Sequence, residues 1–166
     1  KIKELKSKKN NISAGISIHH LLFDESYIEN YRTFFKLSPP LRSISDKDFL
    51  LKNIKDDTID TISSFHLPQD EESKRLPFEK AAFGAIGLQT LLPACLKLVH
   101  DKILDLPTLF KKISLNPAKL LNLKSGILKE DYPADLILFD PDKPFTVDRF
   151  KLLSKAKNTP IDGYKL

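Results

Sequence analysis

Within the stretch TISSFHLPQDEESKRLPFEKAAFGAIG, residues 61–87, His66 is followed by Asp70, Glu71 and Glu72. An imidazole beside a carboxylate can work as a general base with its orienting acid. Acidic side chains in a polar loop are more often simply solvated, and that is the competing expectation here. A second possibility is a metal site drawn from His19, His20 and His66 at two neighbouring strand ends. No tight ligand spacing supports it. Adjacent histidines on a strand point to opposite faces, so one packed and one hydrogen-bonded histidine is the expectation. The third possibility is Phe83-Gly84-Ala85-Ile86-Gly87, whose small residues could let a ligand approach backbone N–H groups ahead of a helix. Close packing of the helix explains the same residues equally well. The pattern is not GxGxxG, and no phosphate-cradling lysine follows.

The elements that must carry these residues read as α/β. Residues 12–18 alternate apolar and small polar side chains, the period of a half-buried strand. Residues 23–35 are acidic and aromatic, and the LSPPLR run makes residues 37–42 a stiff loop. There Arg42 could clamp a carboxylate bidentately, although a surface role is the default. Ser45 with Asp48 three residues on fits a capping box, opening a helix with Phe49, Leu50 and Ile54 on its apolar face. A strand is expected over residues 58–64. Strand, helix, strand is the rhythm of a parallel sheet. Leu88, Leu91, Leu92, Cys95 and Val99 form the stripe of a further helix, with Pro93 expected to kink it. Two more helices are expected near Pro107 and at Asn116-Pro117, the last stopping at Gly126. ADLILFD, residues 134–140, reads as a buried strand with which residues 145–147 could pair. A boundary is expected near Gly126, dividing 1–125 from 126–166.

The 166 residues suffice for one domain with a real core. With 41% apolar and 30% charged residues, neither disorder nor a membrane span is indicated. The chain starts at Lys1 and has no methionine, so it is expected to be a fragment or processed piece. Its single cysteine, Cys95, excludes an internal disulfide, suits a reducing cytoplasmic setting, and is expected to be packed rather than reactive. The net charge of +5 is concentrated in KIKELKSKK at the start. Elsewhere the signs mix without a basic, aromatic-interleaved stripe, so nucleic acid is not an expected partner.

FFKLSPPLR, PQDEESKRLPFEKAAFGAIGLQTLLPA and NPAKLLNLKSGILKEDYPADLILFDPDKPFTV, in that order, resemble the C-terminal half of a dihydroorotase of the amidohydrolase superfamily, and SKAKNTP resembles its closing segment. The resemblance covers essentially the whole chain. It implies the C-terminal part of a (β/α)8 TIM barrel and a small β-rich subdomain. The implied activity interconverts dihydroorotate and N-carbamoyl-aspartate in pyrimidine synthesis, with zinc activating a hydroxide and a strand-end aspartate moving the proton. The family pattern Asp-His-Ala-Pro-His aligns with Phe65-His66-Leu67-Pro68-Gln69, so Phe65 takes the catalytic aspartate position and Gln69 that of a substrate-binding histidine. Ser38 replaces a substrate-contacting asparagine, whereas Phe83 and Gly84 match the family's substrate-contacting pair and His66 and Pro68 are retained. The family's other zinc ligands belong to earlier strands. The implied expectation is that no catalytic carboxylate is intact and that this chain alone binds no zinc and opens no ring. The alternative is a non-catalytic subunit that serves as a scaffold for aspartate transcarbamoylase.

Overall fold

A computed structural model describes residues 1–8 and 11–166. Helix α1 (Ile2–Lys8) precedes strand β1 (Gly15–Ser17), which runs straight into the short helix α2 (Ile18–Leu22). Helix α3 (Ile44–Lys55) leads to strand β2 (Thr61–Ser63), followed by α4 (Glu71–Arg75) and α5 (Leu91–His100). The two strands are parallel, pairing Gly15 with Thr61, Ile16 with Ile62 and Ser17 with Ser63. Both are shorter than their sequence patterns suggest. Ser17 ends β1 because its Oγ accepts from the His19 N–H at 3.2 Å, a side-chain cap that starts a helix. His19 and His20 are therefore helical, not consecutive residues of a strand.

Helix α3 is capped by Ser43, two residues before the expected position. Its Oγ accepts from the Asp46 N–H at 3.2 Å and bonds the Asp46 carboxylate at 2.9 Å. The buried face also differs from the expected one. Ile54 is fully buried while Phe49 stands 66% exposed. In α5, Pro93 lies in the first turn, where its missing N–H leaves no intrahelical bond unmade, and the mid-helix position expected for it does not occur. Leu88 falls outside α5 and is exposed; Cys95, Leu96 and Leu98 are buried. Burial pushes the Cys95 thiol up to about 12, as befits a packed, inert side chain.

The two helices expected at Pro107 and Asn116 are joined. Helix α6 (Leu106–Phe110) continues through a π turn (Lys111–Leu115) into α7 (Asn116–Leu120), and the junction residues keep right-handed helical angles. A proline inside a helix clashes with the carbonyl four residues back, and the wider π turn ahead of Pro117 relieves that clash. Asn116 is not a cap, since its Nδ2 donates to the Asp60 carbonyl at 2.8 Å. The helix ends at Leu120, six residues before the expected stop.

The π turn also buries Lys112 completely, with its Nζ 2.6 Å from Asp57 Oδ1 and donating to the Ile59 carbonyl. Hydrogen bonds from Lys112 and then Lys111 hold the Asp57 carboxyl below the usual carboxylate range. Asp57→Ala would leave the buried ammonium with one carbonyl for a partner and is expected to cost about 2 kcal/mol, less than for a wholly buried pair because Asp57 is half-exposed. Lys112→Met should be nearly neutral. Urea titration of both variants measures the contrast.

The β1–β2 pair and helices α2, α3, α5 and α6 enclose a first core around Ile18, Ile54, Ile62, Cys95, Leu98 and Leu109. A second core joins Phe23, Phe35 and Leu37 to Ala85 and Ile86, and to Val147, Leu152 and Ile161 from the end of the chain. Phe23 meets Phe35 edge-on at 5.1 Å. Residues 134–140 do not form the expected buried strand. Leu136, Ile137 and Leu138 are exposed at 65%, 71% and 102%, because among the described residues no segment offers them a ladder of backbone partners. Residues 145–147 pair instead with the last residues: Phe145 exchanges both backbone bonds with Leu166 at 2.8 Å, and Val147 donates to Tyr164 at 2.9 Å. Among the described residues no helix is long and apolar enough to cross a membrane.

Candidate active site

The C-terminal ends of two parallel strands open on one side of the sheet, and there β1 and β2 place a cleft of about 270 Å³. Ser17, His19 and His20 line it from β1 and α2, Leu37 and Ser38 from the proline-rich loop, and Phe65, His66 and Leu67 from the end of β2. Gly84 and Ala85 close the far wall. The stretch that carries the chemical residue types is thus the wall of a real concavity.

The individual roles differ from those the spacing suggested. His66 does not meet the carboxylates. Its Nδ1 accepts from the Gly87 and Leu88 N–H groups, each at 3.2 Å, so the neutral ring carries its proton on Nε2 and can donate but cannot act as a base through Nδ1. Asp70 caps α4 by accepting from the Ser73 N–H at 2.7 Å, and Glu71 pairs with Arg75 at 2.7 Å. The backbone-recognition reading of residues 83–87 also fails in its simple form. Gly84 donates to the Lys36 carbonyl at 3.0 Å, Ile86 to the Asn158 carbonyl at 3.1 Å, and Gly87 to His66. These glycines serve close approach. A Cβ on Gly84, whose φ is +120°, would stand 2.7 Å from the Leu67 side chain, and one on Gly87 2.7 Å from the Ser64 carbonyl.

His19 and His20 do reach the same cleft, against the opposite-face expectation. His20 Nε2 bonds the Pro39 carbonyl at 3.0 Å and His19 Nδ1 meets Ser17 Oγ at 3.3 Å. His19 Nε2 and His20 Nδ1 are enclosed with no partner among the described residues. Burial, and secondarily His20, push the His19 pKa down to about 4, which keeps the ring neutral.

His66 Nδ1 and His20 Nε2 are occupied, and no carboxylate of the described residues lines the cleft. Among those residues no three His, Cys, Asp or Glu side chains converge on a metal-sized point, so the described residues by themselves do not assemble a zinc site.

Phe65 is half-exposed with a φ of +44°, a region that Asp, Asn and Gly tolerate and bulky side chains rarely enter. The backbone here has a shape that suits a small polar residue, yet it carries an aromatic ring. Phe65→Asn should raise stability by about 1 kcal/mol, read as a higher denaturation midpoint. Gln69 turns away from the cleft, its Nε2 donating to the Phe83 carbonyl at 2.9 Å. Phe83 is half-exposed, with Lys36 Nζ 4.5 Å from its ring centre. Arg42 lies outside the cleft, with its Nε 3.6 Å from Asp46 on the surface.

Sequence reasoning missed two buried residues behind the wall. Lys74 Nζ donates to the carbonyls of Ala82 and Gly84 at 2.8 and 3.1 Å, and burial followed by Lys36 lowers its pKa to about 8. Asn158 bonds both walls of the cleft. Lys74 reads in sequence as a surface helix residue. The only signal for Asn158 was its place in SKAKNTP.

Residues 6–163 match the model of the amidohydrolase family. The chain belongs to that family. It is 36% identical over 99% of its length to a dihydroorotase of Ehrlichia chaffeensis, and equally so to one of Geotalea daltonii. An L-hydantoinase (dihydropyrimidinase) from Arthrobacter aurescens superposes over 99% of the chain with a TM-score of 0.94 at 29% identity. A D-hydantoinase, at 20% identity and a TM-score of 0.87, shares the fold. The chain spans 37% and 39% of the two dihydroorotases and 38% of the L-hydantoinase. In this amidohydrolase the loop that follows β2 places an aromatic residue, Phe65, in the cleft.

Proposed function

We propose that this chain is the C-terminal portion of a dihydroorotase-type cyclic amidohydrolase of pyrimidine synthesis, with residues 1–125 forming part of the barrel and 126–166 part of a β-rich subdomain. In this reading the cleft holds dihydroorotate or N-carbamoyl-aspartate without interconverting them. The observation that carries it is the cleft at the ends of β1 and β2, where Phe65 and His66 face Gly84. Phe65 and Leu67 supply half-exposed apolar surface in the cleft for a ring, and half-exposed Phe83 adds more next to Gly84, outside the lining itself. His66 Nε2–H can donate to an amide carbonyl, and Ser38 supplies a hydroxyl where the family has an amide. No carboxylate stands where a proton must move. Zinc, which the family uses as Lewis acid and hydroxide source, is given no complete donor set by the described residues, and no step is routed through it. The relatives' names weigh for a cyclic amidohydrolase over a scaffold for aspartate transcarbamoylase.

Titrating the isotopically labelled chain with dihydroorotate, while assaying ring opening, tests this. The Phe65, Phe83 and Gly84 resonances should shift together with no turnover. Unmoved resonances would remove the binding claim, and turnover by the unmodified chain would remove the non-catalytic one.

A further inference from the structure

We propose that Asn158 is a positioning residue for the cleft, fixing the spacing of its two walls, residues 66–69 and 83–86; its effect on ligand binding rests on the cyclic-amide reading above. The side chain is 2% exposed and its amide is fully used. Nδ2 donates to the Leu67 carbonyl at 3.2 Å and to the Gly84 carbonyl at 3.1 Å, and Oδ1 accepts from the Gln69 N–H at 3.2 Å. The Asn158 backbone carbonyl accepts from the Ile86 N–H at 3.1 Å. One planar amide and its own backbone therefore hold two residues on each wall.

Chemistry restricts the position to asparagine. Two carbonyls need two donors, and the Gln69 N–H needs an acceptor in the same plane. A carboxylate would oppose both carbonyls, and an apolar side chain would remove the partner of the Leu67 carbonyl and the Gln69 N–H and leave the Gly84 carbonyl to Lys74 alone. The segment that carries Asn158 is anchored on both sides. Ile161 is buried in the second core, and Lys157 Nζ ties the approach by donating to the Leu152 and Ser154 carbonyls, each at 2.7 Å. Lys74 Nζ supplies the second donor to the Gly84 carbonyl, so the peptide that follows Gly84 is pinned from two directions.

In the unmodified full chain, the Asn158 side-chain amide protons should exchange slowly and show cross-peaks to the Gly84 α-protons. Solvent-like exchange would overturn the proposal without any variant. Asn158→Ala is then compared with Ile54→Val, or another first-core variant matched to it in Tm. Asn158→Ala should displace the Gly84 and Gln69 amide resonances and weaken dihydroorotate binding about tenfold, because small misplacements of positioning groups act steeply. The matched core variant should leave both unchanged. An equal response in the two variants would reduce Asn158 to a stability role and overturn the proposal. If the unmodified chain binds no dihydroorotate, the cyclic-amide reading falls, while the exchange and resonance comparisons still decide whether Asn158 sets the walls.

Discussion

Phe65→Asp combined with Gln69→His should raise dihydroorotate ring opening by about 10²–10⁴-fold in a protein that joins this chain to the part of the fold its relatives carry beyond the matched region. That range is the contribution of a positioned group that takes or gives a proton, and a phenyl ring can do neither. Position 65 is ready for the exchange. Its φ of +44° suits aspartate better than phenylalanine, and it lines the cleft at the end of β2. Gln69 is the second half of the change, since its Nε2 is spent on the Phe83 carbonyl at 2.9 Å. A histidine there regains a group that can reach a ligand. The measurement is ring-opening rate for the paired and unmodified proteins at equal concentration. Equal rates would mean that the aspartate position is not where this fold's proton transfer was lost.

Acid should destabilise the chain above the range where carboxylates titrate. His19 is buried and its pKa is pushed from 6.5 to about 4, by burial first and His20 second. The folded-state pKa lies below the unfolded one, so the unfolded chain takes up the proton first. The stabilisation is complete above pH 6.5, is lost as pH falls towards 4, and changes no further below that. The full loss amounts to about 3 kcal/mol at 1.4 kcal/mol per pH unit. His19→Gln removes the titrating group, so its stability should stay flat across that window. Denaturant midpoints collected for both proteins give the comparison, and parallel curves would exclude His19 as the source. Asp57, whose carboxyl is held low by Lys112, acts in the same direction but at lower pH.

The patterns that survived were those set by the spacing of apolar residues along each segment, which fixes the face that must be buried. The parallel β1–β2 pair joined through α3 followed from apolar periodicity. The packed state of Cys95 followed from its helical stripe. Boundaries were less legible because they depend on single competing hydrogen bonds. Ser43 rather than Ser45 caps α3, and Ser17 turns the expected strand into a helix at His19. The run at residues 134–140 misled because apolarity encodes a wish for burial, whereas a strand also needs a backbone partner that no described segment provides.

The same division applies to the site. Sequence by itself determined the family, and it singled out the loop around Phe65 and His66 that the structure places in the cleft, because these are matters of residue identity and order. Only the tertiary structure decided what those residues do. His66 proves to be a hydrogen-bonded strut, Asp70 and Glu71 serve α4, and Gln69 latches Phe83. Asn158 and Lys74 emerge as the supports of the cleft's far wall. Asp70 and Glu71 are taken up by partners within one helical turn, whereas the roles of His66, Gln69, Lys74 and Asn158 rest on partners farther along the chain, up to 91 residues for Asn158 and Leu67. A buried polar group is assigned its role by whichever partner the packing brings within reach.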